Sequence, residues 1–127
     1  MNDLFFVFKN KIPQESYFDI RNKFDLISKE TSQKLSILKL KDPFLAVFLS
    51  IFFGMLGADR FYKGDVSHGI LKLITGFYIG FDLIYFVNID VYELSEYAFF
   101  IYYIIDVFLV YHGVKKDNLQ KIQIALL

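Results

Sequence analysis

The feature that most constrains this chain is an abrupt change at Pro43, where charged residues give way to hydrophobic ones. No charged residue occurs between Pro43 and Ala58, and three hydrophobic segments follow one another at about 43–62, 66–87 and 97–113. Of the 127 residues, 55% are hydrophobic and 20% aromatic, which is too apolar for an ordinary soluble fold. The sequence therefore predicts an all-α integral membrane protein, a hairpin-like bundle of two to three hydrophobic helices.

Residues 1–42, which precede the membrane domain at 43–113, are predicted to form a soluble, cytoplasmic helical arm. They contain eight Lys or Arg and six Asp or Glu, and one apolar face recurs at spacings of three, four and three, in Tyr17, Ile20, Phe24 and Ile27. This face either packs within the arm as a helical hairpin or docks on the membrane or a partner, because so short an arm has little core of its own. Residues 114–127 are predicted to form a polar C-terminal tail.

Small residues are regularly spaced in the first two hydrophobic segments. In the first they recur every four residues, at Ala46, Ser50, Gly54 and Ala58, and in the second they are Gly69, Gly76 and Gly80. Since lipid tails compete equally well for apolar contacts, close backbone approach at small residues helps membrane helices to associate. The two faces are predicted to meet each other, or to meet copies of themselves in a homo-oligomer; coincidence is the remaining explanation.

A polar turn with the sequence GADRFYKGD, residues 57–65, separates the first and second segments. Six of its residues are candidates for a defined role: Gly57, Asp59, Arg60, Phe61, Tyr62 and Gly64. The glycines suit backbone angles that other residues avoid, and the aromatic pair suits the membrane interface or ordinary packing. The aspartate and arginine are expected to form a pair or network at the membrane boundary. A solvated turn and a ligand or partner contact are the alternatives.

This turn resembles that of the two-transmembrane-helix, or TM-two, domain family. The usual form of the family is a membrane helix ending in a glycine-rich D/H-R-F-Y-x-G turn, then a G-I-x-K/Q-L stretch and a second helix that carries a single Asp. The similar runs here are GADRFYKGD, GILKLIT at 69–75 and IYYIIDVFLV at 101–110, so the resemblance covers about 43–118.

The resemblance implies membrane residence and partner binding, with no established chemistry. The flanking sequences are similar to those of bacterial members with a short N-terminal arm. Family members usually reach the Asp-bearing helix within a few residues, whereas here Gly76 to Phe100 intervenes as an insertion of about one membrane segment. On this reading Asp106 is the acid that corresponds to the second helix of the family.

Beyond the turn, three charged residues lie inside the second and third hydrophobic segments: Lys72, Asp82 and Asp106. An intramembrane carboxylate is costly unless it faces protein, finds a donor or is protonated. Asp106 is therefore expected to make a structural hydrogen bond to Arg60, Lys72 or a tyrosine, with a proton or ion pathway as the alternative. Asp82 has the same options, and Lys72 is expected to snorkel or to pair with one of these acids.

Catalytic, cofactor-binding and metal sites are not expected. The chain has no cysteine, and its only histidines, His68 and His112, lack the spacing of a metal site. It also has neither a phosphate-binding glycine loop nor a nucleophile–base pair. The formal net charge is zero, so there is no overall basic surface that would favour nucleic acid as a partner.

The distribution of charge predicts the orientation in the cell membrane. Lys and Arg are frequent in the arm and after the third segment, whereas the connection at 88–96 contains Asp90, Glu93 and Glu96 and no basic residue. The positive-inside rule then places both termini in the cytoplasm, which requires an even number of crossings. One segment would have to be re-entrant or interfacial, either the short first one or the broken, Lys-bearing second one. Three crossings are the alternative.

These observations favour a non-catalytic membrane protein whose helices pack or oligomerise in the lipid bilayer. Its arm would contact a cytoplasmic protein partner. The alternative function is an oligomeric ion or proton channel in which Asp82, Asp106 or Lys72 faces water. An enzyme is the third reading.

Overall fold

The computed structural model describes the backbone of residues 2–85 and 89–127, and the side chains of residues 4–81 and 97–127. The chain is all-α, with 83% of residues helical and no strand in the part that is described. The helices are α1 (Asn2–Lys9), α2 (Tyr17–Asp25), α3 (Lys29–Ser36), α4 (Pro43–Phe53), α5 (Ala58–Lys63), α6 (Val66–Tyr85) and α7 (Ile89–Ala125). Short 3-10 turns, Gln14–Ser16 and Gly54–Leu56, precede α2 and follow α4.

The chain divides into two compact units. Unit 1 comprises residues 1–43 and 112–127, and unit 2 comprises residues 44–111. Helix α7 contributes its C-terminal end to unit 1 and its preceding part to unit 2. The residues after 112 therefore belong to the same unit as the N-terminal arm.

Unit 1 has a conventional apolar core. Its buried members are Phe8, Ile12, Ile20, Phe24, Leu35 and Ile122, and Tyr17 and Ile27 pack against them while partly buried. The apolar face expected on the arm is thus directed into the core of its own unit. Residues 114–125 are helical, and Ile122 from this stretch is completely buried, so the C-terminal end of α7 completes the core of the arm.

A buried asparagine joins three segments of unit 1. Asn118 is completely buried; its side-chain oxygen accepts from the backbone N–H of Lys41 at 3.0 Å, and its Nδ2 donates to the carbonyl oxygens of Lys11 at 2.9 Å and Lys41 at 2.7 Å. This one side chain satisfies backbone polar groups that the loops would otherwise leave unpaired. Since an unpaired buried backbone group costs free energy, these contacts stabilise unit 1.

The first hydrophobic segment of unit 2 is not one continuous helix. Helix α4 ends at Phe53 after 11 residues, about 16 Å, and the chain turns at Gly57, which has a φ of 71° in the left-handed region. Helix α5 follows and ends at Gly64, with a φ of 97°. Residues other than glycine rarely adopt these angles, and the two glycines therefore set the position of the turn.

The two remaining helices of unit 2 are longer. Among the described residues, one helical stretch, Tyr97–Ala125, is long and apolar enough to cross a membrane, and Pro43–Leu56 and Val66–Phe81 are shorter apolar stretches. Large apolar side chains on α4, α6 and α7 point outward and are exposed, among them Phe44, Phe48, Ile51, Phe52, Ile70, Ile74, Phe77, Phe81, Phe100, Ile101, Ile105 and Leu109.

A buried charge cluster as the candidate functional site

Unit 2 encloses four charged side chains that come from three of its helices. Asp59 and Arg60 come from α5, Lys72 from α6 and Asp106 from α7. Their exposed fractions are 0%, 9%, 8% and 1%, respectively. We refer to these four residues as the charge cluster. Two acids and two bases make it formally neutral.

Asp106 is held by both basic side chains of the cluster. Arg60 Nη2 donates to Asp106 Oδ1, and Lys72 Nζ forms an ion pair with Asp106 Oδ2. The sequence was compatible with a donor from Arg60, Lys72 or a tyrosine, and the structure brings the first two to the carboxylate together. Arg60 and Asp106 are 46 positions apart in the chain, so only the packing of α5 against α7 makes this pair.

The second carboxylate, Asp59, is held on one side only. Its Oδ2 accepts from Lys72 Nζ at 2.7 Å and from Ser50 Oγ at 3.0 Å, and Ser50, on α4, is 1% exposed. Lys72 therefore bridges the two acids, and Ser50 connects α4 to the charge cluster. Within the described residues, Asp59 Oδ1, Arg60 Nε and Asp106 Oδ2 are buried without a hydrogen-bond partner, and the contact of Asp106 Oδ2 with Lys72 is an ion pair only.

The energetic consequence of this arrangement is asymmetric. A buried ion pair contributes little net stability, because the attraction is offset by the desolvation of both charges, yet removal of one partner typically costs about 3–5 kcal/mol. Each acid of the cluster contacts a base, and Asp106 contacts two. The cluster therefore specifies which helices meet, and the loss of any one member leaves a stranded charge.

At its edge the cluster continues to the protein surface. Arg60 Nη1 lies 3.6 Å from Asp65 Oδ2, and His68 Nδ1 lies 2.8 Å from Asp65 Oδ1. The hydrogen bond with His68 lowers the pKa of the Asp65 carboxyl below its usual 3.8. The side chain of His68 is 61% exposed, so the outermost member of the series is in contact with solvent.

Tyr103 is a contributor that the sequence analysis did not single out. Its hydroxyl lies 2.5 Å from the carbonyl oxygen of Ser50 and 2.6 Å from that of Ile51, both in the last turn of α4. The last carbonyls of a helix lack intrahelical partners, so the hydroxyl of Tyr103 on α7 acts as their hydrogen-bond donor. A tyrosine in an apolar segment was the available signal, but the chain has nine tyrosines and the sequence does not rank them.

Three of the four small residues of the first segment face the interior. Ala46, Ser50 and Gly54 are buried, and a Cβ on Gly54 would lie 2.9 Å from the ring of Tyr103. The prediction that Ala58 extends this stripe is wrong, because the left-handed turn at Gly57 ends the helical period and places Ala58 on α5.

The second segment uses two of its three small residues for backbone contact. A Cβ on Gly76 would overlap the carbonyl oxygen of Met55, and one on Gly57 would overlap the carbonyl oxygen of Gly69. The first and second segments thus meet through glycines. Gly80 differs, because a Cβ there would meet nothing within 4 Å among the described residues.

The remaining predicted residues are placed as follows. Phe61 is 41% exposed and its ring lies against Gly69, and Tyr62 is partly buried. The side chain of Asp82 and the acidic residues of 88–96 lie outside the residues whose side chains are described. Among the described residues, no group of three or more His, Asp or Glu side chains could hold a metal ion.

Comparison with known families supports the resemblance. Residues 39–89 match the model of the TM2 domain. The match covers the GADRFYKGD turn and α6, including the part of Gly76 to Phe100 up to residue 89 that was treated as an insertion, and it ends before Asp106. No curated protein and no solved structure matches the chain. The match and the apolar stretch of α7 together point to a small membrane protein.

Proposed function

We propose that this chain is a non-catalytic, multi-pass integral membrane protein of the cell membrane that acts by binding other proteins. In this proposal, unit 2 packs in the bilayer around the charge cluster, and unit 1 contacts a partner on the cytoplasmic side. The observation that carries the proposal is the distribution of side chains in unit 2, with charges inside and large apolar groups outside.

That distribution is unfavourable for a unit surrounded by water. Monomeric soluble proteins rarely expose large contiguous apolar surfaces, whereas α4, α6 and α7 all expose phenylalanine, isoleucine or leucine side chains. A hydrocarbon environment removes this cost and at the same time requires charges to pair inside the protein. The four members of the charge cluster meet this requirement through each other.

Two crossings, by α6 and α7, account best for the lengths of the helices. Helix α6 has 20 residues, about 30 Å, and its apolar stretch, Val66–Phe81, is shorter, so in this proposal the whole helix is needed to reach across a typical hydrocarbon core of about 30 Å. Helix α4 has 11 residues and is too short to cross alone, so we assign it a re-entrant or interfacial position. An even number of crossings keeps the basic N-terminal and C-terminal regions together on the cytoplasmic side.

The charge cluster supports a packing role rather than conduction. Its two acids and two bases make it formally neutral, and Asp106 has a base beside each oxygen, which supports a role in holding the helices together. Association with other copies of the chain or with a partner protein is the remaining means of action. Among the described residues no atom lies within 4 Å of a Cβ placed on Gly80, which supports a close approach by another helix there.

Membrane extraction and labelling test the proposal. The protein is expected to stay with membranes after high-salt and alkaline washes, since salt screens headgroup attraction but does not weaken hydrocarbon burial. Single cysteines at Ser32 and Gln120 should be protected from an impermeant thiol reagent in intact cells, whereas one at Ser95 should react. The native chain has no cysteine to give a background signal.

Three outcomes would contradict parts of this proposal. Release by either wash would exclude integral membrane insertion. Labelling at Gln120 but not at Ser95 would replace two crossings by three. Proton or ion flux through liposomes containing the purified protein, lost in Asp106→Asn, would establish the channel in place of the binding protein.

A further inference from the structure

A cavity of about 280 Å³ lies beside the charge cluster, within unit 2. It is bounded by the turn after α4 and by α6 and α7, and most of its lining is apolar, with Met55, Leu71 and Phe99 among the lining residues. Among the described residues that line it, Lys72 is the only charged one. The cavity therefore combines apolar walls with a charged hydrogen-bond donor.

The size of this cavity suits an organic molecule. An apolar protein cavity of about 150 Å³ holds benzene, and ligand pockets generally combine hydrophobic walls with a few polar groups that orient the ligand. A neighbouring groove of about 440 Å³ has no charged residue among its described lining residues, so no charge orients a ligand there. The cavity beside Lys72 is therefore the better candidate for a specific ligand.

The ammonium group of Lys72 has a donor to spare. It carries three N–H groups. Its partners among the described residues are Asp59 Oδ2, at 2.7 Å, and Asp106 Oδ2. Since the side chain is 8% exposed, water has little access to it. One N–H group is therefore available to an acceptor atom of a ligand in the cavity.

The hydroxyl groups that line the cavity are weaker candidates for this role. Thr75 Oγ1 already donates to the carbonyl oxygen of Leu71 at 2.8 Å, and the hydroxyl of Tyr103 already donates to the end of α4. Tyr102 also lines the cavity, but a neutral hydroxyl makes a weaker hydrogen bond than an ammonium group does. Lys72 is therefore the donor that would orient a ligand.

The surrounding charges select a neutral ligand. Lys72 already contacts two carboxylates, so an anionic ligand would bring a third negative charge to one ammonium group. A cationic ligand would meet the positive charge of the same lysine. A neutral acceptor, such as a carbonyl oxygen, adds a hydrogen bond without changing the charge of the cluster.

We propose that this cavity binds a neutral, lipid-soluble molecule that carries a carbonyl group. The carbonyl oxygen accepts from Lys72 Nζ, and the apolar part of the molecule lies against Met55, Leu71 and Phe99. A quinone ring and the ester of a neutral glycerolipid share this chemistry. The inference goes beyond the proposed function, since it adds a small-molecule ligand to a protein that binds proteins.

Fluorine NMR of para-fluoroacetophenone, a neutral aromatic ketone, tests the inference on the full-length protein in lipid nanodiscs. Para-fluorocumene has a similar shape without the carbonyl group, and para-fluorobenzoate carries a negative charge. Empty discs give the signal of each probe dissolved in lipid. A short-chain benzoquinone and a short-chain diacylglycerol, each added as a competitor, distinguish the two sources of the carbonyl group.

Three variants locate the binding site without removing Lys72, whose loss would strand the acids of the cluster. Thr75→Trp places a large ring at an exposed position that lines the cavity. Ile74→Trp is the matched control, because Ile74 is the adjacent exposed residue of α6 and is not among the lining residues. Tyr102→Phe removes the alternative donor.

The ketone is expected to bind saturably and at least about tenfold more tightly than para-fluorocumene, because a hydrogen bond to a charged group contributes a factor of this size. Para-fluorobenzoate should not bind. Thr75→Trp should weaken ketone binding at least about tenfold, whereas Ile74→Trp and Tyr102→Phe should leave it unchanged. Displacement of the ketone by the benzoquinone or by the diacylglycerol would identify the source.

Several results would overturn the inference: no saturable binding of the ketone, equal affinity for para-fluorocumene, unchanged binding in Thr75→Trp, or displacement by neither competitor. Loss of binding in Tyr102→Phe would overturn Lys72 as the donor. A protein that does not enter the discs would instead contradict the proposed membrane location, and the same titration in aqueous buffer would then test the cavity.

Discussion

The two units of this chain solve the problem of charge burial in opposite ways. Unit 1 buries phenylalanine, isoleucine and leucine and leaves most of its lysines exposed, whereas unit 2 buries four charges and exposes its phenylalanines. In unit 1 the contacts between apolar side chains are non-directional, so they favour burial but do not select particular partners. In unit 2 each contact of the charge cluster has a defined partner, so the charges determine which helices meet.

Substitutions in the charge cluster should have the largest effect on stability and therefore test this comparison most directly. Asp106→Leu should destabilise unit 2 by about 3–5 kcal/mol, because Arg60 and Lys72 both lose their shared partner in a buried setting. Asp106→Asn should cost less, since the amide keeps the shape and one acceptor. Denaturant titration in detergent, followed by far-ultraviolet circular dichroism, measures both, and unchanged stability in both variants would remove Asp106 from the structural core.

The core of unit 1 should respond to the loss of apolar volume instead. Leu35→Ala is expected to cost about 2–5 kcal/mol, because a completely buried side chain leaves a cavity. Leu35→Met, which nearly conserves volume, should cost less than about 1.5 kcal/mol. The same titration measures both, and equal losses for the two substitutions would indicate that volume is not the deciding quantity.

Glycine substitutions sharpen the comparison within unit 2. Gly57→Ala should cost at least about 1–2 kcal/mol from the left-handed angle alone, and its Cβ would also overlap the backbone of Gly69. Gly80→Ala is the matched control; it should be neutral or stabilising, since its Cβ meets no atom of the described residues within 4 Å and alanine favours a helix by about 1 kcal/mol. If thermal unfolding shows the two variants to be equal, the turn at Gly57 is not a close contact.

The smallest effect is expected at Asp65, which connects the charge cluster to the protein surface. The pKa of Asp65 is lowered mainly by the hydrogen bond with His68, so its ionised form is favoured in the folded state. The stability that it contributes should be complete above the unfolded pKa of about 3.8 and should disappear as the pH falls through the lower folded pKa. Asp65→Asn should therefore be less stable than the native chain near neutral pH, with the difference closing at acidic pH. A difference independent of pH would contradict the assignment.

Several features could be predicted from local sequence alone because they depend on neighbouring residues. The apolar segments predicted the helices of unit 2, and the spacing of Ile20 and Phe24 predicted an apolar face on the arm, which the structure shows to be buried. The glycines of the GADRFYKGD turn indicated backbone angles that the structure shows at Gly57 and Gly64. The same turn also carried the resemblance to the TM2 domain that the family match supports.

Other features needed the tertiary structure, because they join residues that are far apart in the chain. Asn118 binds Lys11 across 107 positions, and Tyr103 reaches the end of α4 across more than 50. Nothing near an asparagine or tyrosine in the sequence distinguishes such a role from a solvated one. The sequence likewise named the two acceptable donors to Asp106 without showing that both would be used.

By itself, the sequence determined where the chain is apolar, where it is charged and where it can turn, since each of these depends on the side chain or backbone of a single short stretch. The tertiary structure alone decided which charges meet and which apolar face of the arm is buried. The physical reason is that pairing and burial depend on the approach of separate helices. That approach is set by steric contacts, such as Gly57 against Gly69, which no local pattern encodes.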